Sequence, residues 1–277
     1  MVKSYLGGQA LIEGVLIKNK NKISIAVRKT NGKIIVKKEK LRFKDNNIPF
    51  IRGILNLFII LYIGIKSLNF SSNVQLNKED KLSVKEIIIS LLFALGFGIL
   101  IFKLTPLLAA NFIDKKFGIN NFYFNIIDGL LKILLFVAYV YIISLSKDVK
   151  RVFQYHGAEH KAVACHEDSK KLTIENVQKY SPVHKRCGTT FVFLVLLVSI
   201  LVYSFIPKDW SILWKFILRI LLLPVIAGLS YEILRLGAKH KFMKIFIYPG
   251  LWIQKITTQE PDNKQVEVAI KAVKGAL

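Results

Sequence analysis

The chain has 277 residues, 53% of them hydrophobic, and a formal net charge of +23 from 41 Lys and Arg against 18 Asp and Glu. An ordinary soluble domain, at about 45–50% apolar, is not expected, because several apolar stretches reach the ~20 residues that cross a bilayer. Such a charge on a membrane protein favours basic loops beside anionic lipid headgroups. Nucleic-acid binding is not expected, since no basic stripe is interleaved with exposed aromatic residues. Two cysteines do not make a disulfide framework.

Residues 1–50 predict a small β-rich cytosolic domain. Its candidate strands are Leu11–Ile17, Ile23–Val27 and Ile34–Lys38. Asn31-Gly32 separates the last two strands, and this pair is typical of a tight hairpin because both residues tolerate positive φ. The many lysines favour a sheet with one buried face and charged edges.

Five apolar stretches follow this domain. The first, Phe50–Ile65, is short and carries Arg52 near its start, which predicts an interfacial or re-entrant helix over residues 51–66. Residues 67–84 are polar and predict a loop. The other four stretches predict transmembrane helices arranged as two hairpins, 86–146 and 190–237. These helices are Glu86–Leu108, Phe124–Ser144, Thr190–Ile206 and Ile212–Leu236.

The distribution of Lys and Arg predicts the orientation of these helices. Thirteen lie in residues 1–52, four in 66–85, nine in 146–188 and seven in 237–277, whereas the two remaining loops hold three. With four spans, every basic segment lies on one side of the membrane. If residues 50–65 also crossed, the nine positive charges of residues 146–188 would lie on the other side. We therefore expect an integral, mainly α-helical protein of the cell membrane with both termini in the cytosol.

Ionisable residues interrupt the predicted spans. Asp128 and Lys132 are four residues apart, so they share a helix face and predict a neutralising pair. Lys103, Lys215 and Arg219 are expected to extend their charged ends to the membrane interface.

The C-terminal segment, 238–277, predicts two helices. Phe242–Gln254 combines aromatic, aliphatic and basic residues, which is typical of an amphipathic helix at the membrane surface. Lys264–Lys274 alternates charged and small apolar residues, which indicates a short helix packed on the cytosolic domain.

The cytosolic segment 147–189 carries four of the five histidines and both cysteines of the chain. An apolar stripe with a spacing of three or four residues runs from Val149 and continues through His156 and His160. The stripe predicts a helix with both imidazoles turned inward. Two histidines four residues apart on a helix can bind one metal ion.

The sequence His156-x-x-Glu159-His160 has the form of the inverted zinc-protease motif, in which the histidines bind zinc and the glutamate polarises a water. Either His184 or Cys187 offers a third ligand. Glu159 is then a catalytic base or a further ligand. A buried histidine pair that only hydrogen-bonds to carbonyl or carboxylate groups explains the same pattern.

The neighbouring residues are weaker candidates. Cys165 fits a small buried side chain better than a ligand, and a thiol is expected in the reducing cytosol. His166, in the polar run with Glu167, fits a solvated residue and a ligand equally. Glu13 and Glu175 are further candidate carboxylates.

Two charged residues near the predicted membrane surface are candidates for binding. Arg186 either binds an anion, such as a phosphate or a lipid headgroup, or anchors the next helix at the interface. Glu232 lies near the cytosolic end of the last span and is a functional candidate, the alternative being an ion pair with Arg235.

Seven stretches in order along the chain are Gly7–Gly14, Arg52-Gly53, Tyr155–Lys161, Arg186–Thr189, Tyr231-Glu232, Pro249–Leu251 and Thr257–Pro261. Together they resemble the YqhQ-like family of bacterial membrane proteins, which are often labelled predicted metal-dependent enzymes. Lys185 stands where the family pattern leads us to expect proline, so the loop at His184 is less rigid here. The resemblance implies a metal site at His156, Glu159, His160, His184 and Cys187, and it marks Glu13 and Glu260 as further fixed points.

The leading hypothesis is a metal-dependent hydrolase, with a divalent ion such as zinc, that acts on an interfacial or lipid-linked substrate. The alternative is a non-enzymatic transport or assembly factor whose basic cytosolic face binds membrane lipid or a membrane protein partner. A proton-coupled transporter ranks third, because few ionisable residues lie in mid-membrane.

Overall fold

The structure is a computed structural model that describes residues 6–41, 48–76, 83–240 and 242–277. The strands are β1 (Gly7–Leu11), β2 (Gly14–Asn19), β3 (Lys22–Arg28) and β4 (Ile34–Lys40). The helices are α1 (Ile51–Gln75), α2 (Val84–Ile99), α3 (Thr105–Phe117), α4 (Asn121–Ser144), α5 (Lys147–Glu167), α6 (Ile174–Gln178), α7 (Gly188–Tyr203), α8 (Ile212–Leu221), α9 (Leu223–Lys239), α10 (Lys244–Thr257) and α11 (Asn263–Ala276). A mainly helical chain with a small N-terminal antiparallel sheet is confirmed.

The predicted single strand Leu11–Ile17 is wrong, because this stretch folds back on itself. Leu11 pairs with Gly14 across a two-residue turn, so β1 and β2 form a hairpin. Glu13 takes the left-handed conformation at the turn, with φ of 53°. The second hairpin is confirmed around Asn31-Gly32, where only Gly32 has positive φ, at 82°.

The sheet, in the order β1-β2-β3-β4, is covered on both faces, so the expectation of one buried face is wrong. Val15 and Ile17 on one face pack with α5 and α11, whereas Leu16 and Ile25 on the other pack with Ile63 of α1. The apolar runs in β2 and β3 are nearly continuous, a pattern typical of strands that are buried on both sides.

Helix α1 is longer than predicted, since Ser67–Gln75 continues the helix into the expected loop. Ser67 and Ser71 are buried there, and Gln75 donates a side-chain hydrogen bond to the carbonyl of Arg28 on the sheet. Packing against the sheet therefore stabilises a helical turn whose polar composition suggested a loop.

Within the described residues, three helices are long and apolar enough to cross a membrane: Ile51–Gln75, Lys85–Phe117 and Asn121–Ser144. A fourth candidate joins α8 and α9, which bend by 45° before Pro224. The apolar helix α7 has 16 residues and is shorter. These helices suggest a membrane protein.

The helix Lys85–Phe117 includes a π-helical segment, Leu100–Leu104, and runs past the predicted end at Leu108. It stops at Gly118, whose φ of 60° is the left-handed conformation that commonly ends helices.

The predicted outward extension of the charged residues in these helices is wrong for Lys215 and Arg219, which are 2% exposed. Arg219 instead forms an ion pair with Asp128, which also pairs with Lys132. Lys103, which is partly buried, donates a hydrogen bond to the hydroxyl of Tyr203. We call Lys103, Lys132, Lys215, Arg219 and Asp128 the cationic cluster.

Helices α5, α6 and α11 lie beside the sheet and make one core with it. Helix α11 begins with a capping box between Asp262 and Gln265 and buries Val266 and Val273. Helix α10 packs on α7, where a Cβ on Gly250 would lie 2.7 Å from Cγ2 of Thr190. The segment that follows α10 therefore lies beside α5, where the histidines are.

Candidate metal centre

Helix α5 carries the predicted motif and buries most of its second half. The expected inward stripe is present in part: His160 is 3% exposed, whereas Val149 and His156 are only partly buried. Glu159, which the stripe did not include, is 4% exposed. Gly157 permits close packing, since a Cβ there would overlap the carbonyl oxygen of Gln259. The backbone N–H of Gln259 also donates to the carbonyl of Phe153 at 3.0 Å, which ties the 257–261 segment to α5.

The imidazoles of His156 and His160 lie side by side, with ring centroids 4.4 Å apart. Nδ1 of His156 is 2.8 Å from the carbonyl oxygen of Thr257, and Nδ1 of His160 is 2.5 Å from that of Pro182. A carbonyl only accepts, so each Nδ1 carries the proton and donates it. Each Nε2 is then an unprotonated nitrogen, the form that binds metals, held by the kind of outer partner that metal-binding histidines usually have.

Cys187 brings a third ligand atom to the two Nε2 atoms. Its Sγ lies 3.3 Å from Nε2 of His156, and one potential ligand atom each from His156, His160 and Cys187 lie within 4.8 Å of one another. Cys187 is the N-cap of α7, and its Sγ accepts a hydrogen bond from the backbone N–H of Thr189 at 3.4 Å. Both cysteines are free thiols.

This donor set fits a zinc-like ion. Tetrahedral zinc holds nitrogen at about 2.0–2.1 Å and sulfur at about 2.3 Å, which separates the ligand atoms by about 3.3–3.8 Å. The observed upper limit of 4.8 Å exceeds that spacing by more than about 1 Å, so the three ligand atoms would have to move closer together to hold such an ion. Two imidazole nitrogens and one sulfur leave the fourth position of a tetrahedron for an oxygen.

Glu159 places a carboxylate next to this group, with Oε2 3.5 Å from Nε2 of His160. A Cβ on Gly8 would overlap Oε1 of Glu159, so β1 forms one wall around the carboxylate. Burial raises the pKa of Glu159, with His156 and His184 opposing that rise. Burial also lowers the pKa values of both His156 and His160, which favours the neutral imidazoles that bind metal.

His184 lies beside the three-residue group without joining it. Its ring centroid is 5.5 Å from that of His160, and its Nε2 is 3.5 Å from Oε2 of Glu167. Gln254 fixes the backbone of His184 through two hydrogen bonds of 2.9 Å, one accepted and one donated by its side-chain amide.

Arg186 forms an ion pair with Glu167. Burial works to raise the pKa of Glu167, but the hydrogen bond from His184 and the charge of Arg186 lower it overall. Glu167 and Arg186 therefore orient the loop that carries His184 and Cys187.

Four other candidate carboxylates lie in ion pairs outside the group: Glu13, Glu260, Glu232 and Glu175. Glu13 pairs with Arg151 and accepts a hydrogen bond from the hydroxyl of Tyr155 at 3.1 Å. Glu260 lies 2.5 Å from Nζ of Lys161.

Glu232 pairs with Arg52, and not with Arg235, and accepts the backbone N–H of Phe50 at 3.1 Å. Glu175 is exposed and pairs with Lys179.

Neither Cys165 nor His166 belongs to the group. Cys165 is buried, with Sγ 3.8 Å from the carbonyl oxygen of Lys171, and burial raises its pKa. His166 is partly buried near the end of α5.

Sequence reasoning missed the role of Glu167 and the two carbonyl partners. Glu167 lies seven residues after His160, two turns along the same helix face, so the spacing contained that signal. Backbone carbonyls of Thr257 and Pro182 carry no such signal, because every residue has one.

An open apolar groove of about 540 Å³ lies along α8, lined by Trp210, Ser211, Trp214, Ile217, Leu218 and Leu221. It contains no His, Cys, Asp or Glu, so its lining offers none of the chemistry of the metal centre.

Comparisons with known proteins agree with the resemblance in the motifs. Residues 48–277 match the family model described as "Protein of unknown function (DUF1385)". The chain is 38% identical over 291 residues to "Uncharacterized protein YqhQ" of Bacillus subtilis (strain 168), covering 96% of this chain and 90% of that protein. No solved structure matches the chain. The chain therefore belongs to the YqhQ-like family of proteins of unknown function.

Proposed function

We propose that this protein is a multi-pass membrane protein with a cytosol-facing metal centre formed by His156, His160 and Cys187, and that it hydrolyses an interfacial or lipid-linked substrate. One observation carries the proposal. Backbone carbonyls hold both Nδ1 atoms, so the two Nε2 atoms converge with Sγ of Cys187 beside a buried carboxylate. A purely structural histidine pair needs no such convergence.

Zinc or a similar divalent ion would supply Lewis acidity toward an oxygen of the substrate. Glu159 is suited to move a proton there, since burial raises its pKa above the usual range. It is positioned by β1 and by the adjacent His160. In this proposal Glu159 takes a proton from the attacking water and returns it to the leaving group.

Four membrane crossings are proposed: α2–α3, α4, α7 and the bent pair α8–α9. Helix α7, at about 24 Å, is shorter than the hydrocarbon core and would cross a locally thinned bilayer. Helix α1 fits an interfacial position despite its length, because its second half packs on the sheet from Ile63 onward. The remainder, Ile51–Tyr62, is about 18 Å long and too short for a hydrocarbon core of about 30 Å. This arrangement leaves the basic segments and both termini in the cytosol.

The location of the metal centre supports an interfacial substrate. Cys187 is the N-cap of the apolar helix α7, so the ligands lie where the proposed membrane domain begins. Helix α10 packs beside α7 and leaves Phe246, Tyr248 and Trp252 exposed, as expected at a lipid surface. In this proposal a lipid-linked molecule approaches from the membrane surface, and the segments that cover the buried ligands move aside to admit it.

Metal analysis of the purified protein tests the centre. We expect about one zinc or similar ion per chain, and loss of that ion in His160→Ala and Cys187→Ser. His240→Ala is the matched control, since this exposed histidine lies outside the group. A parent protein without metal, prepared without chelators, would contradict the proposal.

A structural centre in an assembly factor is the second candidate, favoured by the burial of His160 and Cys187. Glu159→Gln separates the two functions in a complementation assay in cells that lack the protein. An enzyme that uses this carboxylate loses function while its metal content stays the same. An assembly factor retains both.

A further inference from the structure

The cationic cluster, at the end of the helices opposite α5, is a second concentration of buried polar groups. Asp128 Oδ2 lies 2.5 Å from Nζ of Lys132 and 2.8 Å from Nη1 of Arg219. Nη2 of Arg219 donates to Oδ1 of Asn125 at 3.0 Å. These groups come from α4 and α8, and Asp128, Lys132 and Arg219 are each 1–2% exposed.

Tyr203, at the end of α7, brings a third helix and a further cation to the cluster. Its hydroxyl accepts from Nζ of Lys103 at 3.2 Å and donates to the carbonyl oxygen of Arg219 at 2.8 Å. Nζ of Lys132 lies 4.8 Å from the ring centroid and Cζ of Arg219 lies 5.0 Å from it. Both cations therefore lie near the aromatic ring of Tyr203, and this contact offsets only part of the cost of burying their charges.

Lys215 completes the cluster with contacts to neutral groups only. Its Nζ donates to the carbonyl of Lys208 at 2.7 Å and lies 4.6 Å from the ring centroid of Phe124. The nearby Asp114 is paired with Lys208 at 3.0 Å. Asp209 is exposed.

The charges of the cluster do not balance. Among the described residues, five cations (the four of the cluster and Lys208) stand against three carboxylates (Asp128, Asp114 and Asp209), an excess of two positive charges when all are ionised. Isolated charges within apolar helices are costly, and proteins place them there mainly where they pair or bind a ligand.

Three buried atoms of the cluster also lack hydrogen-bond partners within the described part of the chain, and of these only Nη1 of Arg219 has an ion-pair contact, with Asp128. Nε of Arg219 is an unused donor, and Oδ1 of Asp128 is an unused acceptor. A ligand that satisfies both must accept from a guanidinium and donate to a carboxylate. A protonated phosphate group does both, whereas sulfate at neutral pH has no proton to donate.

We propose that the cationic cluster binds a phosphate group, as inorganic phosphate or as the monoester headgroup of a lipid. Arg219 and the lysines neutralise its charge, and Asp128 accepts the hydrogen bond of its P–OH group. The site is separate from the metal centre and does not depend on the proposed hydrolase activity.

Thermal unfolding of the purified full-length protein tests this site. In neutral detergent, inorganic phosphate at about 100 times its Kd should raise the midpoint by about 5–10 °C over chloride at equal ionic strength. Sulfate should give a smaller shift. In nanodiscs of phosphatidylcholine without free phosphate, added phosphatidic acid should raise the midpoint if the lipid headgroup is the natural source.

Variants locate the effect. Arg219→Gln should abolish the shift, and Lys132→Gln serves the same purpose should the first variant fail to fold. Lys116→Gln is the control, because it removes an exposed positive charge near the same ends of the helices and should leave the shift intact. The proposal is wrong if neither phosphate nor phosphatidic acid shifts the parent midpoint, or if Arg219→Gln and Lys132→Gln retain the full shift.

Discussion

The metal centre and the cationic cluster both bury polar side chains, and they differ in how the rest of the chain compensates for burial. In the metal centre, a backbone carbonyl accepts the Nδ1 proton of each clustered histidine. In the cationic cluster, cations outnumber the carboxylates around them, and Nε of Arg219 and Oδ1 of Asp128 have no partner among the described residues. Neutral groups can be satisfied by the backbone alone, whereas an excess of charge requires a counter-charge from elsewhere.

The two clusters also lie at opposite ends of the same helical layer. Helix α4 carries Asp128 in its first part and ends at Ser144, shortly before the helix of the metal centre begins. At 1.5 Å per residue, that separation along α4 is about 24 Å. The polar chemistry of the chain is therefore divided between two faces of the proposed membrane domain.

The largest loss of stability should come from a substitution in the cationic cluster. Asp128→Asn removes the carboxylate that contacts Lys132 and Arg219 and leaves their charges buried. We expect a loss of about 3–5 kcal/mol in the free energy of unfolding, the usual cost of breaking a buried ion pair from one side. Denaturant unfolding in detergent measures it.

Asp114→Asn is the control for this loss, since its pair with Lys208 is partly exposed and should contribute no more than about 1 kcal/mol. Equal stability of the two variants would mean that the cluster charges are already neutral.

The next largest loss of stability should come from disturbing the close packing of α5 beside the candidate metal centre. Gly157→Ala forces a Cβ against the carbonyl of Gln259 and separates α5 from the segment that supplies the Thr257 carbonyl. We expect a loss of about 1–3 kcal/mol and reduced metal content. Gly188→Ala, which has open space within 4 Å of its Cβ, should preserve both. Comparable losses in both variants would rule out this packing role.

A smaller, pH-dependent effect should come from Glu159 in the metal-free protein. Burial raises the pKa of this carboxyl above the usual 4.5, so the folded state holds a proton that the unfolded chain has released. The free energy of unfolding then falls as the pH rises from about 4.5 through the raised pKa of the folded state. Glu159→Gln should therefore be more stable than the parent by about 1 kcal/mol above that range and no more stable below about pH 4.

Titration of the histidines changes stability with pH in the opposite direction, and it occurs in both the parent and Glu159→Gln. Burial lowers the pKa values of His156 and His160 from the usual 6.5, so stability is lost as the pH falls below that value. Unfolding curves of the parent and Glu159→Gln, taken with a chelator across this range, measure the contribution of the carboxyl together with its interaction with His156. A difference that is constant with pH would show that Glu159 does not titrate in the folded state.

The smallest effect should come from Glu175, which lies exposed in a pair with Lys179. Glu175→Gln should change neither metal content nor the unfolding midpoint, because exposed ion pairs contribute little. Metal analysis beside His160→Ala checks this. Loss of metal would place Glu175 in the centre and contradict the assignment of the ligands.

The local part of the metal centre could be predicted because helical spacing determines it. His156, Glu159 and His160 lie within one turn, so their proximity follows from periodicity. Cys187 could be named only as an alternative to His184, since the choice depends on the loop that Gln254 holds. Long-range packing of this kind leaves little trace in one sequence.

The cationic cluster contained a signal that the sequence analysis misinterpreted. Lys215 and Arg219 are four residues apart on α8, while Trp214 and Leu221 on other faces are exposed. That is the pattern of a membrane helix with a polar interior face, whereas each basic residue by itself suggested extension to the interface. The length of α1 was missed for another reason, because the sheet that covers it is a tertiary contact.

The position of α11 has a consequence for how the protein is made. The sheet is synthesised first, yet one of its faces is covered by a helix that follows all of the apolar helices. Asn19 donates a side-chain hydrogen bond to the carbonyl of Ala276, 257 residues later in the chain. During translation, the apolar face of β2 and β3 must therefore wait for α11 while the membrane helices insert, and this delay exposes it to aggregation or to chaperones.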